Sequence, residues 1–420
     1  MKVLWVVNSI LRDLNKELFG NLADGVWMDA LLSEFKGKSD YSIVVVTTAK
    51  RKTEYVLKKD NVTYYLLPDA PPISYNENKK SNIACWKALL EREKPDLIQV
   101  WGTEFTQGLC ALRSAKDVPS VVYMQGYLGS IARFYQAGIP QNVLKRTVTV
   151  RDFLKRDSIL QQQKKFARSS VKEREMFALS GAIISENEWC NANIRSIVPD
   201  IKTYFCPLSI NKVFGEYEWN EEKADKYSVI CTASGYTIKG LHILLRAIAL
   251  LKTKFPDIKL YVPGTPVKTQ SGLLGRLKRN GYTKYVEELI EKLGIKEQVI
   301  WLGRLSQKEL AEEYSKRHVF VMPSSIENHS SSLKEAMAVG MPCISSYVGG
   351  IPEYLRHGEN GLLYRFEEYE VLASHIEKLF VNKKLCERLS AQARNDILKL
   401  HDNNVFERIC KIYEDLICKK

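Results

Sequence analysis

The sequence predicts an α/β protein with two parallel sheets in two domains, and three observations carry that prediction. Short β-branched runs alternate with longer stretches of helical spacing along the whole chain, the signature of parallel strands joined by crossover helices. That strand–helix rhythm restarts after Pro207. A chain of 420 residues with 45% hydrophobic residues is also too long for one ordinary core.

In order, the first half offers strands at VLWVV (3–7), SIVVVT (42–47), VTYYLL (62–67), DLIQVW (96–101), SVVYM (120–124) and AIIS (182–185). A second set follows at SVICTAS (228–234), IKLYVPG (258–264), QVIWLG (298–303), HVFVMPS (318–324) and PCISS (342–346), with one more strand after the turn HGENG. Between the sets, PLSINKVFGEYEWN (207–220) has no clear period and marks the domain boundary. This gives a first domain at 1–206, a linker at 207–214, a second domain at 215–400 and a final helix at 401–420. That helix carries an apolar stripe at 405, 406, 409, 412, 413, 416 and 417, which needs a surface to cover.

MKVLWVV has only five apolar residues between Lys2 and Asn8 and reads as a first buried strand rather than an export signal. No uncharged apolar run approaches bilayer length; HILLRAIALL is interrupted by Arg246 and has helical spacing. The expectation is a soluble or peripheral protein. The nine cysteines are scattered, without a CxxC pair or a histidine at ligand spacing, which argues for reduced thiols in a cytoplasmic setting. The acids form no aspartate-rich metal motif either, so no metal or other cofactor is expected.

A net charge of +13 points to a polyanionic neighbour. Nearly half of it lies between Leu144 and Phe177, where ten basic residues face four acids and Phe153, Leu154, Ile159, Leu160 and Phe166 are interleaved. A solvated helix face and contact with an anionic membrane are both open for 144–177. No reader motif supports nucleic-acid binding.

The stretch SSIENHSSSLKEAMAVG (324–340) holds the strongest chemical signal. Residues 324–331 form the loop leaving a parallel strand, the edge where open α/β sheets bind ligands. The helix that follows offers unpaired amides and a positive dipole end, suited to a diphosphate, and Ser331 and Ser332 are small enough for close approach. Glu327 falls in the loop and Glu335 one turn into the helix, both placed to accept hydrogen bonds from hydroxyls. The plainer alternative for Glu335 is a capping box, since Ser332 stands three residues before it.

From Pro323 to Leu363 the sequence resembles the nucleotide-binding signature of GT-B retaining glycosyltransferases of family 4: an acid, seven residues, an acid, then EAMA-G-P, GG-P-E and G-NG. The likeness extends to TIKGLHILLRAIALL (237–251), to WLGRL (301–305), to DGVWMDALLSEF (24–35), and to QGYLGSIARFY (125–135) and SENEWCNANIRSIVP (185–199), the last two similar to a bacterial capsule and exopolysaccharide branch. The resemblance implies two Rossmann-like domains across a cleft, with the C-terminal helix crossing back to the first. It implies Glu327 facing the donor sugar, Glu335 the ribose and Lys239 the diphosphate, with Asn328, Ser331, Ser332, Leu333, Gly303, Arg304 and Gly25 also on the donor side. Gln125, Gly126 and Arg133 would lie on the acceptor side.

Two departures stand out. The arginine that commonly precedes the lysine is absent, with Ala233 and Ser234 in its place, and Gln125 stands where many members have histidine. All six histidines lie in the second half of the chain, so no mechanism with a histidine base on the first domain is available. A lysine near a helix N-terminus is unfavourable without an anion, which favours a functional Lys239. His329 has no partner to suggest catalysis and reads as structural.

The activity implied is a retaining hexosyl transfer from a UDP- or GDP-sugar to a hydroxyl of a saccharide acceptor, lipid-linked, in cell-surface polysaccharide synthesis at the cytoplasmic membrane face. A GT-B sugar-nucleotide epimerase and a catalytically silent binding or scaffold protein remain alternatives. A nicotinamide oxidoreductase lacks its G-x-G-x-x-G fingerprint here.

Overall fold

The computed structural model describes residues 1–20, 27–115, 117–233, 235–264, 279–401 and 404–418. Two compact units emerge, one comprising Met1–Leu128, Arg168–Ser209 and Asn403–Lys420, the other Gly129–Ala167 and Ile210–Asp402.

The first unit is built on strands β1 (Lys2–Val6), β2 (Ser42–Thr48), β3 (Tyr55–Lys59), β4 (Val62–Leu67), β5 (Leu97–Trp101), β6 (Ser120–Tyr123), β7 (Ala182–Ser185) and β8 (Lys202–Phe205). They form one sheet in the order β3-β4-β2-β1-β5-β6-β7-β8, parallel except for the β3–β4 hairpin. The central strands are near-continuous apolar runs because both faces are covered. Val3 and Trp5 enter one core layer, Leu4 and Val6 the other. Strands β3 and β8 were not expected from the sequence. Their residues are partly or largely exposed, so they lack the apolar signal of the interior strands.

The final helix, Val405–Ile417, packs in this first unit as expected. Its Ile409 and Tyr413 are buried in the same layer as Trp5 and Phe35, and the Trp5 indole donates to the Tyr413 hydroxyl at 3.0 Å. Burying side chains of this size contributes about 1.5–3 kcal/mol each, which explains the apolar stripe.

The second unit contains β9 (Asp225–Ile230), β10 (Lys259–Pro263), β11 (Val299–Gly303), β12 (Arg317–Met322), β13 (Cys343–Ser346) and β14 (Leu362–Tyr364). Their order is β11-β10-β9-β12-β13-β14, and neighbouring strands pair in parallel.

Two boundaries differ from the sequence reading. Residues 129–167 cluster with the second unit, not the first. Buried His242 makes one of the ties, its Nε2 lying 2.9 Å from the Ala137 carbonyl and its Nδ1 3.1 Å from the Tyr282 hydroxyl. Desolvation pushes that imidazole down to about 4, so it stays neutral at physiological pH. The proposed linker is likewise built into the second unit from Ile210 onward. Phe214 is fully buried, Trp219 donates from its backbone to Val339 and from its indole to Arg317, and Arg394 reaches the carbonyls of Gly215 and Tyr217.

Candidate functional site

Both sheets reverse their direction of growth at one point, and ligands of open parallel sheets bind beyond the strand ends there. In the second unit the chain adds β10 and β11 on one side of β9, then returns to place β12 on the other. The loops after β9 and β12 therefore flank the switch. They carry Lys239 and Glu327.

Lys239 closes a single 3-10 turn, Thr237–Lys239, ahead of the helix Leu241–Leu251. Gly240 follows with φ +69°, and a Cβ there would fall 1.7 Å from the Pro323 carbonyl oxygen, so only glycine lets the two loops meet. Ser325 donates its amide to Ile238 at 2.7 Å, locking them together. The result is an ion pair between Lys239 Nζ and Glu327 Oε1 at 2.5 Å, with the Ser324 hydroxyl donating to the same oxygen at 2.7 Å. The Glu327 side chain is only 10% exposed, whereas Lys239 is 38% exposed and open to an incoming anion. From behind, Gly349 holds φ +52° with its Cβ position 1.7 Å from the Glu327 carbonyl.

The helix Ser331–Val339 follows the Glu327 loop and already includes Ser331, which the sequence reading kept in the loop. Its cap is Ser330, whose hydroxyl accepts from the Leu333 amide at 3.3 Å. This removes the capping-box alternative for Glu335, because Ser332 is already inside the helix. It also corrects the assignment of Leu333: the amide is taken by the cap and the side chain is fully buried in the core. The Ser331 and Ser332 amides donate to no described residue, and so remain for an anion. Glu335 lies on the fifth residue of the helix, and burial pushes its carboxyl up to about 7, against the opposing pull of Lys334. Asn328 is buried beside Glu327. His329 sits 2.7 Å from Lys334 Nζ and against the Tyr354 ring, in keeping with a structural role.

Gly303 ends β11, two strands from β9, and accepts the Gly264 amide at 2.7 Å; Arg304 beside it is exposed. Gly25 and Ser234 lie outside the described residues. Among the described residues no group of three or more His, Cys, Asp or Glu could hold a metal ion.

The first sheet has its own switch point, between β1 and β5. Here the flanking side chains are Asn8 and Glu104. Asn8 Nδ2 donates to Glu104 Oε2 at 3.1 Å, and Gln107 Nε2 donates to Asn8 Oδ1 at 2.7 Å. Gly102, at φ +89°, leaves room for the Glu104 carboxyl, which a Cβ would meet at 2.2 Å. Burial pushes that carboxyl up to about 7 as well. Two polar atoms at this edge, Ser9 Oγ and Gln107 Oε1, are buried without a partner.

Sequence reasoning missed Glu104; the available signal was an acid behind a glycine just past a strand end, in WGTE. The expected acceptor residues divide. Gln125 and Gly126 follow β6 in the first unit, on a loop held by buried Glu173, which accepts the Leu128 amide at 3.0 Å and the Thr103 hydroxyl at 2.7 Å. Arg133 belongs to the second unit, exposed, with its guanidinium over the Phe134 ring.

Residues 214–396 match the family model of glycosyl transferases group 1. Over 181 residues the chain is 28% identical to the D-inositol 3-phosphate glycosyltransferase of Corynebacterium urealyticum, covering 43% of this chain and 41% of that protein. The chain spans less than half the length of the curated relatives it matches. Among solved structures, sucrose-phosphate synthase from Thermosynechococcus elongatus superposes with a TM-score of 0.70 at 16% identity, over 100% of both chains. Anabaena HepE, solved with UDP and glucose, gives 0.64 at 15% identity, over 99% of this chain and 100% of that one. At those identities the likeness is one of fold, and the fold is GT-B.

Proposed function

We propose that the protein is a retaining glycosyltransferase that moves a sugar from a UDP- or GDP-sugar to a hydroxyl of a lipid-linked saccharide, in cell-surface polysaccharide synthesis. The observation that carries the reading is the Lys239–Glu327 pair at the switch point of the second sheet, beside the free amides of Ser331 and Ser332. A diphosphate arriving at the amides competes with Glu327 for Lys239, and the released carboxylate turns to the sugar. Glu335 accepts hydrogen bonds from the ribose.

In the reaction, the bond between the anomeric carbon and the diphosphate oxygen breaks as the acceptor oxygen bonds to that carbon. The acceptor's proton passes to the departing phosphate oxygen. Lys239 and the helix amides stabilise the charge that grows on the diphosphate, which is where a transferase of this kind gains most of its rate. No metal is assigned to that task. At the first sheet, Asn8 and Glu104 bind and orient the acceptor hydroxyl.

The relatives and the UDP complex of a structure with the same fold support a nucleotide-sugar donor. The test is calorimetric titration of UDP-, GDP- and ADP-sugars into the full chain and a Glu335→Ala variant, followed by NMR of the anomeric product. One nucleotide should bind selectively and be lost in the variant, and the product should keep the donor's anomeric configuration. Binding of no nucleotide sugar, or equal binding by the variant, overturns the reading; formation of an epimerised donor without acceptor selects the epimerase instead.

A further inference from the structure

The basic segment at 144–177 separates, in the structure, into parts with different roles. Ile159 and Phe177 are buried, and Glu173 is a fully buried scaffold for the loop after β6. Lys164, Lys165, Arg168 and Arg174 stay exposed on the long helix Ile159–Leu179, while two short helices, Gln141–Arg146 and Val150–Lys155, both in the second unit, form a surface tip.

This tip is firmly seated. Thr149 and Asp152 form a reciprocal capping box, and Asp152 is fully buried against Gly281, where a Cβ would meet its carboxylate at 2.9 Å. The Thr149 hydroxyl donates to the Arg279 carbonyl at 3.0 Å, and Lys284 Nζ donates to the Arg146 carbonyl at 3.0 Å. A helix held this well would ordinarily bury its rings and expose its acid. Here the reverse holds: Phe153 is 76% exposed, Leu154 74% and Val150 60%, while Asp152 is inside.

Around these apolar side chains the surface cations outnumber the acids. Lys145, Lys155 and Arg156 are exposed, with no acid in ion-pair reach among the described residues. Arg146 is also exposed and pairs with Glu288, while the less exposed Arg151 pairs with Asp152 and Asp157. Protruding phenyl and leucyl groups ringed by unpaired cations complement an anionic bilayer: apolar side chains enter the acyl boundary while lysine and arginine heads stay among phosphates. No helix among the described residues is long and apolar enough to cross a membrane, so contact through this tip would be peripheral.

We propose that residues 141–156 form a docking surface for an anionic phospholipid bilayer, with Phe153 and Leu154 inserted and Lys145, Lys155 and Arg156 at the headgroups. This goes beyond the sugar-transfer reading and does not depend on it.

The experiment is co-sedimentation of the full chain with vesicles of phosphatidylcholine alone and of an equimolar mixture with phosphatidylglycerol, over a salt series. Binding should require the anionic lipid and weaken with salt. Lys155→Gln with Arg156→Gln should weaken it about 30-fold, from the usual contribution of two cations near an anionic surface. Phe153→Ser with Leu154→Ser should weaken it at least about 10-fold while leaving the residual binding salt-sensitive. All four positions are exposed, and unchanged thermal melting confirms intact variants. Equal binding to both vesicle types, no binding by the wild type, or variants that bind like it overturn the proposal. So does a change in oligomeric state on Phe153→Ser with Leu154→Ser, which would assign the patch to a second copy of the chain.

Discussion

The two sheets answer one architectural problem with different chemistry. At each switch point, two loops leave adjacent parallel strands and bring a pair of side chains together beside a glycine of positive φ. In the first unit that pair is Asn8 and Glu104, neutral amide against buried carboxyl; in the second it is Lys239 and Glu327, an ion pair with an exposed cation. Each edge also holds one glutamate that burial raises to about 7, Glu104 in one and Glu335 in the other. The edge with a lysine and free helix amides suits a polyanion. The edge with an amide and a desolvated carboxyl suits an uncharged hydroxyl, because hydrogen-bonding groups there need no counter-charge. In the proposed function, donor and acceptor roles follow from which cations each switch point carries.

Removing the cation should break the contrast most severely. Lys239→Ala deprives the leaving diphosphate of its side-chain charge and leaves the largely buried Glu327 without its cation, so kcat should fall about 10³-fold with the selected donor. Initial-rate kinetics check this, and a loss below 10-fold would transfer the role to another group such as Arg304.

The glycines behind the two pairs should differ in cost. At Gly349 an added Cβ meets the backbone carbonyl of Glu327, which cannot swing aside; at Gly102 it meets the end of the Glu104 side chain, which can. Gly349→Ala should therefore destabilise by about 3 kcal/mol and Gly102→Ala by about 1 kcal/mol, measured by urea unfolding. Gly102→Ala should still impair transfer by displacing the carboxyl.

Glu104→Gln tests the acceptor edge alone. A charged hydrogen bond to the acceptor hydroxyl is worth about 1.5–3 kcal/mol, so transfer should drop about 10²-fold while nucleotide-sugar binding by calorimetry stays unchanged. Weakened donor binding in this variant would end the division of roles.

The same contrast governs what the sequence disclosed. The switch point of the second sheet was legible because Glu327, the amides and Glu335 lie within nine consecutive residues of one loop and helix, where helix geometry fixes their relation. The Asn8–Glu104 pair joins residues 96 apart, and no local pattern marks it. The cap fell on Ser330 rather than Ser332 because three consecutive serines offer the same chemistry, and only the path of the loop selects among them. Likewise, residues 129–167 read as part of the first domain by continuity, whereas their allegiance is set by long-range contacts such as His242 to the Ala137 carbonyl. Exposure separated Phe153 and Leu154 from the buried Ile159 and Phe177, which composition alone had grouped.

The smallest effect compares the two raised carboxyls directly. A glutamate whose folded pKa lies near 7, above its unfolded value, is neutral in the folded protein at low pH and costs nothing there. As pH rises toward and through 7, the unfolded chain is already ionised while the folded group resists, so stability falls in that window. Replacing either residue by glutamine removes the penalty: Glu335→Gln and Glu104→Gln should each be more stabilising at pH 8 than at pH 5, by roughly 2 kcal/mol in urea unfolding. Ligand should then separate the edges. Saturating nucleotide should erase much of the gain at Glu335, where the ribose supplies hydrogen bonds to the charged form, and leave the gain at Glu104 untouched; nucleotide acting on both alike would show that the two switch points do not divide the substrates.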